Sequence, residues 1–430
     1  MTRSHSSAGA EDDTERPFTD HGAIPRSPSE GAQSWRRENT AMSSAPPALR
    51  GLMLWCAGAD LRLTLLAVPP LLPAIHRALG LDESAVAALT NLPVLMMALA
   101  AVFGSLLVTR VGARRALAAG LTLVALASAL RGVGPSTVVL FGATIAMGLG
   151  IAISQPTLAA LSRAWFPGRV ALATGIWANG LLCGEAVPAS LTLPLVLPWL
   201  GGSWAAALAV WSVFVAATVL VLVLAPLGGD TRPPAGSRWF PDLRDRRVWQ
   251  IGVYQSSASL AYFGANTFIP DYLHAIGHAA LVGPALSVLN IAQLPASFVV
   301  GMIPLRVLGR RATSLIVAAL LVGALAAFIF GGNAGELLAA GVFGLCAAYV
   351  LTLSFAMPAI LAAPQDVARV SGGTFALGYA IAFVATLLAG ASWDATHIPE
   401  IAFAPVLLAA AIVAIFGIPL GNALLAPNSR

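Results

Sequence analysis

One arginine, Arg62, stands in the middle of an apolar stretch running from about Gly51 to Ile75. An ionised guanidinium at that depth of a bilayer costs roughly 2.5–3.5 kcal/mol on insertion scales. Two chemistries account for a chain that keeps it. Either Arg62 holds an anion or a carbonyl group in a water-filled cavity, or it ties two helices together through backbone carbonyls or a carboxylate. Two acids share its apolar surroundings. Asp60 lies two residues earlier, about 200° away around a helix, so the two do not form a local ion pair. If Arg62 faces a cavity, Asp60 points elsewhere and needs a partner or a proton. It therefore reads as a proton-coupling site or as a carboxylate held by a neighbouring helix. Glu185, near the middle of the fifth apolar stretch, either pairs with Arg62 across the bundle or titrates.

Further polar groups fall into helical stripes. Gln255, Ser259, Tyr262 and Asn266 follow the i, i+4, i+7, i+11 spacing of one helix face, opposite a face of mostly Ala, Val, Leu and Gly. Such a stripe faces protein or water rather than lipid. It lines a cavity or serves interhelical hydrogen bonding. Asn290, Gln293 and Ser297 form a shorter stripe with the same two readings. Trp177 and Asn179 lie about two turns before Glu185. Trp177, Tyr262, Tyr349 and Tyr379 can stack on a planar solute or simply pack. His274 and His278 are four apart, a spacing that suits a metal on a helix, but Gly277 lies between them in a loop, so no metal or other cofactor is expected. Arg131 reads as an interfacial, snorkelling side chain.

The elements that must position these residues follow from composition. Of 430 residues, 58% are hydrophobic and 10% charged, with a mean hydropathy of +0.82, well outside soluble composition. A bilayer core needs about 20 apolar residues per helix. Twelve such segments are legible, at about 50–77, 84–109, 114–133, 136–162, 169–197, 203–226, 248–270, 282–305, 312–331, 335–361, 369–391 and 401–425. They lack the period-two alternation of an outer-membrane barrel. The expected fold is an all-α integral membrane bundle in a cell membrane, expected as a monomer. All 24 basic residues are arginine, which excludes a Walker A loop and lysine chemistry. The isoelectric point of 9.6 reflects loop arginines, not a nucleic-acid surface. Cys56, Cys183 and Cys346 have no ligand spacing.

Arginine bias sets orientation. One alternate set of loops carries Arg110, Arg114, Arg115, Arg163, Arg169, Arg232, Arg238, Arg244, Arg246, Arg247, Arg306, Arg310, Arg311 and Arg369. The other carries only Arg77 and Arg131. Both termini are therefore expected on the cytoplasmic side. Residues 1–47 read as a disordered polar tail, 227–247 as a cytoplasmic linker, and 48–226 and 248–426 as two six-helix halves. The halves repeat. Ser105-x4-Arg110-x-Gly112-x-Arg114-Arg115 returns as Gly301-x4-Arg306-x2-Gly309-Arg310-Arg311, and Thr174-Gly175 returns as Ser371-Gly372. Parallel repeats with a midplane site between them are a transporter architecture.

The duplicated basic loop resembles the major facilitator signature, Gly-x3-Asp-Arg-x-Gly-Arg-Arg, with Ser105 in place of glycine, Thr109 in place of aspartate, and Leu305 at the acidic position of the second copy. In that family the loop locks helix ends, a conformational role the resemblance gives to Arg110, Gly112, Arg114, Arg115, Arg306, Gly309, Arg310 and Arg311. A narrower resemblance rests on Asp60-Leu61-Arg62, Pro70-Leu71-Leu72-Pro73, Leu89-Thr90-Asn91-Leu92-Pro93, Phe166-Pro167-Gly168-Arg169, Phe268-Ile269-Pro270-Asp271 and Trp393-Asp394-Ala395-Thr396. Together these are similar to the cyanate and 2-nitroimidazole transporter branch over about residues 50–425. That branch has asparagine where Asp60 stands, and a glutamine where Phe375 stands.

The resemblance implies a secondary transporter of a small anion or planar electron-rich solute, working by alternating access, with protons or the solute gradient as the energy source. The residues expected to meet the solute are Arg62, Asn91, Trp177, Asn179, Gln255, Tyr262, Asn266 and Tyr379, with Asp60 and Glu185 as proton sites. An exporter of drug-like molecules is the alternative within transport. A membrane sensor lacks a signalling domain in this sequence, and an enzyme lacks a metal cluster or a Ser/His/Asp set in the spans.

Overall fold

Arg62 lies at a helix end, and the reason is three prolines. In the computed structural model, which describes residues 45–81, 83–228 and 237–425, the first helix α1 spans Pro47–Leu63 and then stops. Residues 64–68 turn, Pro69–Leu71 forms a 3-10 turn, and Leu72–Leu79 resumes as a short helix. Pro69, Pro70 and Pro73 lack amide donors and cannot continue the ladder. The continuous span expected over 50–77 is thus two pieces.

Eleven more long helices follow: α2 Glu83–Val111, α3 Ala113–Leu130, α4 Thr137–Trp165, α5 Val170–Leu191, α6 Trp204–Leu224, α7 Arg246–Ala275, α8 Val282–Met302, α9 Arg311–Phe330, α10 Gly332–Leu361, α11 Val367–Thr396 and α12 Ala404–Leu425. Ser136, Ser203 and Asp245 cap α4, α6 and α7 by accepting from backbone amides two or three residues on. Gly112, at φ +89°, makes the reversal between α2 and α3 that a side chain resists.

Among the described residues, ten helices are long and apolar enough to cross a membrane. The two long helices outside that set are α1, cut to 17 residues by its break, and α7, whose polar stripe dilutes its apolar run. They are the helices that carry Arg62 and the Gln255–Asn266 stripe. Large apolar side chains such as Val138, Leu224, Met302 and Phe330 point outward, as suits a surface solvated by lipid.

Helix neighbours recur with a step of six. α1 packs on α5 as α7 packs on α11, α2 on α4 as α8 on α10, and α3 on α6 as α9 on α12. The two sets meet where α2 lies against α11 and α5 against α8. The α1–α5 contact is the tightest in the first set. A Cβ at Gly58, Gly180 or Gly184 would collide with the carbonyl oxygen of Trp177, Trp55 or Ala59 across the contact. Small residues let the two backbones touch, and that brings Glu185 alongside the end of α1. Residues 1–44, most of the expected tail, and 229–236 of the linker lie outside the described residues.

Gly184→Leu is expected to lower the melting temperature of the detergent-solubilised protein by several degrees or prevent folding, since overpacking costs about 1–3 kcal/mol or more. Gly142→Leu, placed in open space on α4, serves as the control and should melt like the parent.

Candidate functional site

The break of α1 exposes carbonyls that no next turn satisfies. Two arginines gather at this negative helix end. Arg131, from the end of α3, donates through Nη2 to the Thr64 carbonyl at 2.6 Å. It is 1% exposed, so it is a buried cap on α1 and not the snorkelling interfacial side chain its position suggested. Arg62, in the last turn of α1, places Nε 3.4 Å from Oε1 of Glu185, with both side chains at most 5% exposed. The face of Phe263 lies 5.7 Å from its guanidinium carbon, a cation–π contact.

Arg62 and Glu185 line a small cavity together with Tyr262, Tyr379, Ser259, Phe263 and Gln293. Helices α1, α5, α7, α8, α10 and α11 all contribute to its wall. Its free space, about 20 Å³, holds roughly one water molecule. Four of the residues singled out in sequence therefore meet here: Arg62, Glu185, Tyr262 and Tyr379. Ser259 and Gln293 come from the two polar stripes. Phe263 carried no sequence signal, because a phenylalanine in an apolar helix is ordinary packing.

Other expected residues lie elsewhere. Trp177 stacks on Phe355 at 4.9 Å between ring centroids and does not line the cavity. The Asn179 amide is fully engaged. Its Oδ1 accepts from Trp55 Nε1 at 3.0 Å, and its Nδ2 donates to the Leu294 carbonyl and Ser297 Oγ, each at 3.0 Å, so it clamps α1, α5 and α8. Gln255 is buried against Gly378. Asn266 is half-buried beyond the cavity. The side chains of Asn91 and Arg306 lie outside those described. Asp60 is buried, and neither carboxyl oxygen has a hydrogen-bond partner among the described residues. It is absent from the cavity wall, in keeping with its place on the far side of α1 from Arg62.

In the basic loops, Arg114 caps the end of α6 through the carbonyls of Leu222, Val223 and Ala225, while Arg110, Arg310 and Arg311 are exposed and Gly309 is buried. Arg115 is exposed and has a partner of its own. Thr109, at the acidic position, donates within its own helix, to the Leu106 carbonyl at 2.7 Å. Ser105, at the glycine position, donates to the carbonyl of Trp239.

Among the described residues, several side-chain hydrogen bonds join α1–α6 to the chain beyond them. Gln155 Nε2 donates to Tyr379 Oη at 2.9 Å, and Arg163 Nη1 donates to the Ala359 carbonyl at 2.9 Å. The Asn179 clamp, the Ser105–Trp239 bond and a bond from Trp165 Nε1 to the Gly228 carbonyl at 3.1 Å belong with them.

A sequence profile described as Major Facilitator Superfamily matches residues 52–391. A cyanate transport protein of Escherichia coli (strain K12) is 30% identical over 251 residues, 56% of this chain and 63% of that protein; the match thus spans less than two thirds of that relative. A 2-nitroimidazole transporter of the same organism is 28% identical over 370 residues, 84% of this chain and 92% of that protein. The structure of a proton:xylose symporter bound to 6-bromo-6-deoxy-D-glucose superposes with a TM-score of 0.68 at 10% identity, over 87% of this chain and 95% of that one.

Glu185→Leu strands Arg62 without its counter-charge and is expected to destabilise the protein by roughly 3–5 kcal/mol. Replacing both Arg62 and Glu185 by leucine should cost less than the single change. Thermal unfolding of the two single variants and the double variant measures the coupling.

Proposed function

Because this chain belongs to the major facilitator superfamily, we propose that this multi-pass membrane protein is a secondary active transporter in which Arg62 anchors a small anionic or electron-rich planar solute. The observation that carries the reading is the buried Arg62–Glu185 pair on the wall of a small cavity, at the end of a broken helix. Discontinuous helices at the midplane are where transporters of this architecture hold ions and substrates. The printed names of the relatives supply two candidate solutes, cyanate and a 2-nitroimidazole.

In this reading residues 48–226 and 248–426 are two halves that rock about the cavity, with 227–247 as linker and both termini cytoplasmic. Opening toward the arginine-rich side breaks the Gln155–Tyr379, Arg163–Ala359, Asn179–Ser297 and Ser105–Trp239 contacts. The neutral bonds among them are worth about 0.5–1.5 kcal/mol net each, and the bond from the charged Arg163 about 1.5–3 kcal/mol. An anion arriving at Arg62 competes with Glu185, which then takes up a proton. Asp60, buried without a hydrogen-bond partner, is the second candidate proton carrier. Coupling to protons follows, with one charge entering as the anion and one as the proton.

Reconstitution into liposomes tests this. Uptake of cyanate or 2-nitroimidazole is expected, and Arg62→Ala should weaken it on the order of 10- to 100-fold, the loss of one charge-assisted hydrogen bond. Undiminished uptake of a confirmed anionic substrate by Arg62→Ala removes the anchoring role. Glu185→Gln and Asp60→Asn separate the proton carriers. The one that matters should lose the stimulation of uptake by a pH gradient, and a variant that keeps it is not a carrier.

A further inference from the structure

Two tyrosines line the cavity, and residues behind them give their hydroxyls opposite hydrogen-bond polarity. Tyr379 Oη accepts from Gln155 Nε2 at 2.9 Å. Arg62, its neighbour on the cavity wall, offers only donors. The Tyr379 hydrogen is therefore left to donate into the cavity. Tyr262 is set the other way. Asn290 Nδ2 donates to the Leu286 carbonyl at 2.8 Å, which turns Asn290 Oδ1 toward Tyr262, whose hydroxyl donates to it at 3.0 Å. Tyr262 also stands within hydrogen-bonding reach of Glu185; with Glu185 turned to Arg62, the Tyr262 hydrogen stays on Asn290 and its lone pairs face the cavity. Gln293 directs Nε2 at the same Asn290 oxygen, at 3.4 Å, and keeps its own carbonyl as an acceptor. Glu185 Oε2 has no partner among the described residues. The wall thus has a donor pole, Arg62 and Tyr379, and an acceptor pole, Tyr262, Gln293 and Glu185.

We propose that Gln155 and Asn290, which do not line the cavity, determine specificity through these tyrosines, and that the transported molecule carries both an electron-rich acceptor end and an N–H or O–H donor. This rests on the transporter reading above and narrows its solute. An acceptor-only anion fills the donor pole and leaves the acceptor pole unpaired. A site built to accept a hydrogen bond discriminates strongly against a ligand that cannot give one. The closed cavity must widen to admit an azole. Gln155 and Asn290 stand behind the tyrosines, so the polarity moves with the side chains it governs.

The test compares binding to the full chain in detergent, by thermal shift and by competition, of four probes: 2-nitroimidazole, its N-methylated analogue, a ring-carbon-methylated isomer of equal size, and cyanate. The N-methylated analogue is expected to bind at least about tenfold more weakly than the parent, with the carbon-methylated isomer close to the parent. Asn290→Ala frees the Tyr262 hydrogen and should narrow that gap. Gln155→Leu should weaken both azoles alike and leave the gap in place. Equal binding of the parent and its N-methylated analogue to the unaltered protein overturns the proposal, whatever the variants do. Binding of cyanate with neither azole also overturns it, yet leaves the anion-anchoring reading standing. If no probe binds, that reading falls and this one with it.

Discussion

The structure is organised around one buried charge pair. Neither Arg62 nor Glu185 is tolerable alone in a surrounding of leucine, alanine and phenylalanine, because an isolated ion in such a medium pays a large desolvation penalty. Together they are neutral, yet the pairing demands geometry. α1 must stop at Leu63 so that the arginine sits at a helix end with a favourable dipole. α5 must lie in backbone contact with α1, which Gly58, Gly180 and Gly184 alone permit. Arg131 must then satisfy the carbonyl that the break exposes. A proline cluster, a glycine stripe and a second buried arginine are consequences of the same constraint.

From that pair outward, the polar groups sort into two kinds. Some are spent on architecture. Asn179 gives its whole amide to α1 and α8, Arg114 closes the end of α6, and Trp177 stacks on Phe355. Others keep unused capacity toward the cavity: Glu185 through one oxygen, Tyr379 through its hydrogen, Tyr262 and Gln293 through lone pairs. Unspent hydrogen-bonding capacity around a nearly closed space is what separates a binding surface from a polar core, since a buried polar group in a core is ordinarily satisfied.

The contacts between α1–α6 and the chain beyond them have their own chemistry. The side-chain bridges described above are hydrogen bonds rather than ion pairs, and one of them, from the Arg163 guanidinium to the Ala359 carbonyl, has a charged donor. Thr109 and Leu305 stand where the signature resembling this loop has an acid, so no carboxylate at those positions reinforces the contact. Ser105 bonds the carbonyl of Trp239 instead, just past the undescribed part of the linker.

Much of the fold was legible because bilayer physics is legible. Runs of about 20 apolar residues, arginines gathered into alternate loops, and a duplicated basic motif set the helices and their repeat without reference to packing. The sequence also marked Arg62, Glu185, Tyr262 and Tyr379 as costly or unusual where they stand. It could not say which polar residues face the cavity. Asn179 and Tyr262 look alike in a helical register, and only the neighbours brought by α8 decide that the first is a clamp and the second a wall. Nor could local spacing reveal that Arg131 is a cap, that Phe263 covers the guanidinium, or that Gln155 and Asn290 set the direction of two hydroxyls. Sequence by itself determined the kind of fold and the presence of buried charge, because burial by lipid is a property of each segment alone. Tertiary structure decided which charges pair and which hydrogen bonds stay open, because those depend on partners brought together from 28 to 224 residues away.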